Sequence, residues 1–213
     1  MKVLVGTSNI NKVQNIKEFI NNKDIQLITP DMLDINLKID ESGNTPVENA
    51  KIKALAYYNE TKMPVISYDS GLYFLDIDKN DKRQPGLYVR RVNGKELSDD
   101  EMIEYYKKVA DEFGGRIKAT YLNGYCIVKD EDTIYEFIDE DPKTIDAYSF
   151  YIVNKPHAKR TPGWPLDSLS VEESTGKYFV ETDSRDDDDN KKEKRELRDK
   201  RLQEFYDKAF GNF

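Results

Sequence analysis

Residues 1–20, MKVLVGTSNINKVQNIKEFI, contain the pattern that decides the fold. Residues 3–5 form a short apolar run that is typical of a buried strand. Apolar residues then recur at the spacing of one helix face: Val13, Ile16, Phe19 and Ile20. The polar segment Thr7-Ser8-Asn9 separates the two patterns, so we expect a strand, a polar loop and a helix in that order.

Three further helices are predicted from start signals and apolar spacing. Thr45 suits an N-cap, Pro46 suits the first helical position, and Glu48 stands three residues after Thr45, as a capping box requires. This helix is predicted to end near Tyr58. Ser98 begins another helix with the same capping-box spacing. The last helix is indicated by a one-sided apolar stripe made of Leu202, Phe205, Tyr206 and Ala209.

Strand-like runs cover much of the remaining chain. They are residues 25–28, 64–68, 72–75, 119–128, 133–138 and 145–153. The tripeptide Asp69-Ser70-Gly71 is predicted to interrupt two of these strands. Acidic turns separate the last three runs, which favours antiparallel pairing. Residues 155–169 are rich in Pro and hold the only His and the only Trp, so we expect an irregular loop there.

Composition excludes several classes of protein. The 213 residues carry 41 acidic and 33 basic side chains, and the net charge of −8 disfavours a nonspecific nucleic-acid binder. No apolar run approaches the roughly 20 residues that cross a bilayer, and the N-terminus lacks a secretory pattern, so no membrane partner and a cytoplasmic location are expected. The single cysteine, Cys126, excludes an internal disulfide framework and is predicted to fill the core.

Some polar residues stand where phosphate or metal chemistry is common. Lys12 follows the loop between the first strand and helix, where backbone N–H groups attract phosphate, although the same loop could simply cap the helix. Asp69 ends a buried run and is followed by Ser and Gly, a setting typical of metal binding or general-base work, or of an ordinary turn. Glu41 and Lys53 flank the second helix start and could face the same cleft.

Five short motifs together resemble those of a known family. They are residues 7–12, residues 41–45, Glu48-Asn49-Ala50 with Lys53-Ala54, Asp69-Ser70-Gly71, and Pro85-Gly86-Leu87-Tyr88. Over roughly the first 95 residues, their order and spacing resemble the inosine triphosphate pyrophosphatases, which remove deaminated purine nucleotides. The resemblance implies one α/β domain over residues 1–213, with a long mixed central sheet flanked by helices and two lobes around a nucleotide cleft. It also implies Mg²⁺ as cofactor and a homodimer, with residues 85–92 near the contact.

The same resemblance implies roles for individual residues. Glu41 and Asp69 hold the metal, Asp69 accepts a proton from the attacking water, and Lys53 acts with it in catalysis. Substrate contacts come from Thr7, Ser8, Asn9, Lys12 and Ser70. Side chains 12, 41, 53 and 69 are thus expected to gather around one phosphate group and its cation. Tyr68 stands where the family usually has a first Asp, which puts metal geometry in question.

The base-binding half departs further from the family pattern. The segment around Trp164 and Asp167 resembles the family's aromatic segment that stacks on the purine, although a loop Trp is also a common core plug. Lys192 and Arg198 match basic residues at the last helix, with residues 183–185 as an alternative match for Arg198. The Ser and His that normally precede that Arg are replaced by Glu and Leu.

The resemblance implies a nucleoside triphosphate pyrophosphatase that cleaves ITP, dITP or XTP between the α and β phosphates. One alternative is a related enzyme with changed nucleotide specificity, because the His is missing. Another is a noncatalytic nucleotide-binding protein whose metal site was lost at Tyr68. A Maf-type pyrophosphatase of similar architecture is a third, which the combination of Glu48-Asn49-Ala50 with Asp69-Ser70-Gly71 disfavours.

Overall fold

The computed structural model describes residues 1–7, 9–20, 24–181 and 189–211. The chain divides into two compact units. The first comprises Met1–Ser70, Asn123–Asp139 and Leu197–Phe213, and the second comprises Gly71–Leu122 and Glu140–Glu196.

Strands and helices alternate along most of the chain. The strands are β1 (Lys2–Val5), β2 (Gln26–Ile28), β3 (Val65–Phe74), β4 (Arg91–Val92), β5 (Lys95–Glu96), β6 (Arg116–Val128), β7 (Ile134–Ile138), β8 (Phe150–Val153) and β9 (Ser170–Val171). The α-helices are α1 (Ile10–Phe19), α2 (Pro46–Thr61), α3 (Asp99–Glu112), α4 (Pro142–Ala147) and α5 (Asp189–Phe210). Short 3₁₀ turns occupy Pro30–Leu33, Pro165–Ser168 and Phe179–Glu181.

The main sheet is mixed, as predicted. Its strands are hydrogen-bonded in the order β2-β1-β3-β6-β8-β9, and β7 pairs with β6. Strand β1 runs parallel to β2 and β3, whereas β6 runs antiparallel to β7 and β8. The α/β class and the mixed sheet flanked by helices are therefore confirmed, and so is the antiparallel pairing of the later strands.

In the first unit, alternate residues of β1 bury against different helices. Val3 and Val5 share a core cluster with residues of α1 and α5, while Leu4 packs with residues of α2. This alternation follows from the two-residue period of a strand. Each fully buried aliphatic side chain contributes about 1.5–3 kcal/mol. The apolar stripe predicted for the last helix is confirmed, since Leu202, Phe205, Tyr206 and Ala209 are all buried.

Strand β6 and the start of α2 approach each other very closely in this unit. A Cβ atom at Gly124 would lie 2.1 Å from the backbone nitrogen of Val47 and 2.4 Å from the carbonyl carbon of Pro46. Only glycine fits such a contact. The approach fixes the helix start against the sheet, and this start carries residues of the candidate site.

In the second unit, α3 supplies one side of the core. The helix starts with a complete capping box, in which Ser98 and Glu101 exchange hydrogen bonds, as predicted. Its apolar face then packs with residues of β8 and of the Pro165–Ser168 turn. The buried residues of this face are Met102, Ile103, Tyr106, Val109 and Ala110.

Several boundaries differ from the sequence predictions. Asp69-Ser70-Gly71 does not interrupt a strand, because β3 continues through it. Strand β1 pairs with Val65 and Ile66, before the tripeptide, and β6 is the other neighbour of β3 in the sheet. Residues 145–147 belong to a helix instead of a strand, because Asp141 caps that helix and Pro142 occupies its first position. Helix α2 runs on to Thr61, three residues beyond the predicted end.

Cys126 is fully buried in the first unit, as predicted. Burial raises the pKa of its thiol to about 12. Within the described parts of the chain, no helix combines the length and apolarity that crossing a bilayer requires.

Candidate active site

The loop after β1 positions Lys12 through a cap on α1. The side-chain oxygen of Asn9 accepts a hydrogen bond from the backbone N–H of Lys12 at 3.4 Å, which makes Asn9 the N-cap. The backbone N–H of Asn9 in turn donates to the Thr7 hydroxyl at 3.1 Å. These contacts place Lys12 in the first turn of the helix. Ser8, predicted to bind substrate, lies outside the described residues.

The N-terminus of α2 positions two more residues. The Thr45 hydroxyl accepts from the backbone N–H of Glu48 at 3.2 Å, as the capping prediction requires. The Glu48 carboxylate, however, accepts from the N–H of Asn44 instead of Thr45, so the box is shifted by one residue. Asn49 and Lys53 then stand one turn apart on the same helix face. Both side chains point toward β3, where they meet Asp69.

Asp69 is the centre of the cluster. Its Oδ1 accepts hydrogen bonds from the Lys53 ammonium at 2.9 Å and from the Lys12 ammonium at 3.2 Å. Its Oδ2 accepts from the side-chain amide of Asn49 at 3.1 Å. Lys53 also donates to Glu41 at 2.8 Å. The structure thus brings together the four side chains that were expected to gather, all within the first unit.

Asn49 links this carboxylate to the loop that carries Glu41. Its side-chain oxygen accepts a hydrogen bond from the backbone N–H of Gly43 at 2.8 Å, while its amide nitrogen donates one to Asp69. Asn49 is only 4% exposed. A Cβ atom at Gly43 would lie 2.7 Å from that same oxygen, so glycine permits the contact. Asn49 therefore orients both the Asp69 carboxylate and the loop that carries Glu41.

The charges of the cluster shape its protonation. Burial alone raises the pKa of Asp69, but the positive charges of Lys53 and Lys12 and the hydrogen bonds from Lys53 and Asn49 outweigh it. The pKa of Asp69 therefore lies below its usual value, and the group is ionised at neutral pH. Burial lowers the pKa of Lys12, and the nearby Lys53 lowers it further, while Asp69 and Glu41 act in the opposite direction.

Two carboxylates are available for a metal ion. Among the described residues, no three Asp, Glu, His or Cys side chains form a group that could hold a metal by themselves. Glu41 and Asp69 are nevertheless joined through one ammonium, that of Lys53. Mg²⁺ is commonly held by one or two carboxylates together with substrate phosphates and water. The donor set therefore fits a Mg²⁺ ion that binds together with a polyphosphate.

Ser70 has a partner that the sequence did not reveal. Its hydroxyl donates to the side-chain oxygen of Asn123, on β6, at 2.6 Å. Asn123 lies 53 positions away in the chain, and no local pattern indicates the contact. Asn49, by contrast, could have been found from its position one turn before Lys53.

The residues predicted for base binding come from both units. Trp164 precedes the Pro165–Ser168 turn of the second unit and is 41% exposed, and Asp167 lies within that turn. Lys192 is exposed on the part of α5 that belongs to the second unit. Arg198 belongs to the first unit and pairs with Asp199 at 2.8 Å. Their role in base binding stays a prediction, and the alternative at residues 183–185 lies outside the described residues.

The fold and the cluster define this chain as an α/β protein with a charge-balanced lysine–carboxylate site beside the middle of β3. Residues 3–147 match the Ham1 family. The chain belongs to this family, and the resemblance to the inosine triphosphate pyrophosphatases is confirmed.

Individual relatives agree with this membership. The chain is 36% identical to a dITP/XTP pyrophosphatase of Leptospira interrogans over 99 residues, which are 46% of this chain and 48% of that protein. A dITP/XTP pyrophosphatase of Treponema denticola is 29% identical over 191 residues, 86% of this chain and 88% of the relative. The match thus spans about half the length of the first of these relatives and most of the second.

Solved structures show the same fold. A Ham1 protein from Coxiella burnetii superimposes with a TM-score of 0.71 over 98% of this chain and 99% of that one, at 21% identity.

Proposed function

We propose that the protein hydrolyses deaminated purine nucleoside triphosphates, namely ITP, dITP and XTP, to the monophosphate and pyrophosphate. The observation that carries this proposal is the contact of Asp69 with Lys12, Lys53 and Asn49. The family and the names of its relatives, dITP/XTP pyrophosphatases, supply the substrate class.

The two lysines bind the phosphates in this mechanism. Lys12 and Lys53 carry the positive charge of the cluster, and both now rest against carboxylates. Phosphate oxygens replace part of these contacts when the triphosphate binds. Preorganised cations of this kind stabilise the charge that develops as the anhydride bond breaks.

Asp69 is the general base. It is ionised at neutral pH, and Asn49 holds one of its oxygens while the lysines hold the other. Asp69 takes a proton from the water that attacks the α-phosphate. Ser70, oriented by Asn123, contacts a phosphate oxygen.

Glu41 and Asp69 would hold Mg²⁺ in this mechanism. When bound, the ion would neutralise phosphate charge and lower the pKa of a bound water. Glu41 is 41% exposed at its side chain and is held only by Lys53 among the described contacts. It is therefore accessible to a cation that arrives with the nucleotide.

Trp164 stacks on the base in this proposal. The polar edge of the base forms hydrogen bonds with Asp167, Lys192 and Arg198. Trp164 and Lys192 are exposed, as a side chain that meets a ligand must be. The homodimer, the cytoplasmic location and the absence of nucleic-acid partners also belong to the proposal. The net charge of −8 supports the last of these.

A second candidate is a related enzyme with another nucleotide preference. Glu196 and Leu197 stand in place of the Ser and His of the family pattern, and both are exposed on α5. A pocket lined by a carboxylate and an aliphatic group presents other hydrogen-bond partners to the base than imidazole does.

The test is release of pyrophosphate from a panel of nucleotides by the purified full-length chain with Mg²⁺. ITP, dITP and XTP are expected to be cleaved much faster than ATP, GTP and CTP. The Asp69→Asn variant is expected to fold normally and to lose activity by about 10²- to 10⁴-fold. Asp31→Asn is the matched control, because Asp31 is exposed and lies in the same unit.

Each outcome of this assay has a defined meaning. Preferred cleavage of a nucleotide outside the deaminated purines supports the second candidate. Binding without turnover of any nucleotide supports the noncatalytic alternative. Full activity of the Asp69→Asn variant removes Asp69 from the role of base.

A further inference from the structure

Tyr68 is a buried residue beside the catalytic cluster. It is 5% exposed, and its ring packs against Tyr125 with 5.1 Å between ring centroids. Its hydroxyl accepts a hydrogen bond from the side-chain amide of Asn15 at 3.1 Å. Tyr68 thus has a fixed ring orientation, held at one face by an aromatic ring and at its tip by α1.

The Lys12 ammonium rests on this ring. Its nitrogen lies 4.8 Å from the ring centroid of Tyr68, within the range of a cation–π interaction. The same nitrogen donates to the backbone carbonyl of Tyr68 at 3.2 Å and to Asp69 at 3.2 Å. Successive strand residues point to opposite faces of a sheet, so the side chains of Tyr68 and Asp69 lie on opposite faces of β3. The Lys12 ammonium contacts both of these residues.

The aromatic side chain changes the charge of the site. Lys12 and Lys53 balance Asp69 and Glu41, so the described ion pairs of the cluster sum to zero. A carboxylate at position 68 would make the sum −1, beside the lysine that must meet an anion. The ring attracts the ammonium through its quadrupole and adds no net charge. The charge of Lys12 thus stays available to phosphate.

We propose that Tyr68 is a positioning residue for Lys12. The Tyr68 ring holds the Lys12 ammonium where it can bind the triphosphate. Tyr68 occupies the sequence position at which the family pattern has a carboxylate. This proposal rests on the proposed function, because it assigns Lys12 to phosphate binding. Tyr68 itself does not touch the substrate. Two contacts fix the Tyr68 ring, namely the hydrogen bond from Asn15 and the packing against Tyr125. A ring that positions Lys12 must itself be held in this way.

The first test measures binding of ITP in EDTA, without metal, by isothermal titration calorimetry on the full chain. Tyr68→Leu removes the ring and is expected to raise the Kd about fivefold, which corresponds to about 1 kcal/mol. Tyr68→Phe keeps the ring and is expected to stay within about twofold of the original protein. Phe210→Leu is the matched control, since Phe210 packs against the same core cluster and its replacement is expected to leave the Kd unchanged.

The second test asks whether Tyr68 acts through Lys12. In a Lys12→Met background, the Tyr68→Leu change is expected to have no further effect on the Kd, because the ammonium is gone. An equal fivefold loss in both backgrounds would show a merely structural role and overturn the proposal.

A third measurement does not depend on the folding of Tyr68→Leu. Phenylalanine analogues with increasing ring fluorination, introduced at position 68, keep the shape and weaken the negative face of the ring. The Kd is expected to rise stepwise with fluorination. A flat series refutes the inference while leaving the proposed function intact. If the unmodified protein binds no ITP in EDTA, the same variants are measured with Mg²⁺, and failure to bind ITP there as well refutes both.

Discussion

Lys53 bridges Glu41 and Asp69, and its replacement by methionine tests the electrostatic basis of the site. Removing one partner of a buried ion pair costs about 3–5 kcal/mol. Here the cost is smaller, because the Glu41 side chain is 41% exposed and Asp69 keeps its contacts with Lys12 and Asn49. We expect Lys53→Met to lower the free energy of unfolding by about 2 kcal/mol at pH 7.

The loss is expected to depend on pH with a defined sign. The pKa of Asp69 is below its unfolded value of about 3.9, so its ionisation stabilises the fold above that value. This contribution disappears as the pH falls through the folded pKa. Without Lys53 the pKa of Asp69 rises and the contribution shrinks. The difference between Lys53→Met and the original protein is therefore largest at neutral pH and smaller near about pH 3.

Urea unfolding followed by circular dichroism at several pH values measures these free energies. Lys51→Met is the matched control on the same helix, because Lys51 forms an exposed pair with Glu136 and its loss should cost less than about 0.5 kcal/mol. The Lys53→Met/Asp69→Asn double variant should be less destabilised than the sum of the single changes by about 1 kcal/mol. Equal losses at neutral and acidic pH, or strict additivity, would refute the electrostatic reasoning.

Three further predictions concern other parts of the first unit. Asn123→Ala releases the Ser70 hydroxyl and is expected to raise KM for ITP several-fold with little change in the melting temperature; an unchanged KM contradicts the role of Asn123. Gly124→Ala is expected to destabilise the fold by about 3 kcal/mol in thermal unfolding, because the new methyl group would collide with the backbone of Val47; a loss below about 1 kcal/mol would show that α2 can move away. Cys126 is buried with a pKa of about 12, so its reaction with a disulfide reagent at pH 8 should be no faster than unfolding, and fast labelling of the native protein would contradict this burial.

Local signals made much of the fold predictable. The Thr45 and Ser98 hydroxyls each accept from the backbone N–H three positions on, so these two hydrogen bonds follow from the sequence directly. The same holds for the apolar stripes of α1 and α5, whose spacing shows which face is buried. Only the family resemblance predicted that four side chains lie together, those of Lys12, Glu41, Lys53 and Asp69. Their spacing in the sequence does not indicate that two helices, a loop and a strand meet at one site.

Predictions failed where distant partners override local preference. Asp69-Ser70-Gly71 looks like a turn, but β3 stays extended through it beside β6, whose Asn123 accepts a hydrogen bond from Ser70. The helix at Pro142–Ala147 was missed because apolar residues near it suggested a strand, whereas Asp141 and Pro142 are a good helix start. The contact of Ser70 with Asn123 depends on the register of β3 and β6, which no local motif reveals.

The side chains gathered around Asp69 all come from the first 69 residues of the chain, with Lys12 as the earliest. Mutations later in the gene therefore leave the chemical identity of this cluster untouched. Selection can alter the stretch around Trp164 and α5, where the family pattern is already broken, without rebuilding the phosphate chemistry. Such separation along the chain offers a simple evolutionary route to new nucleotide preferences.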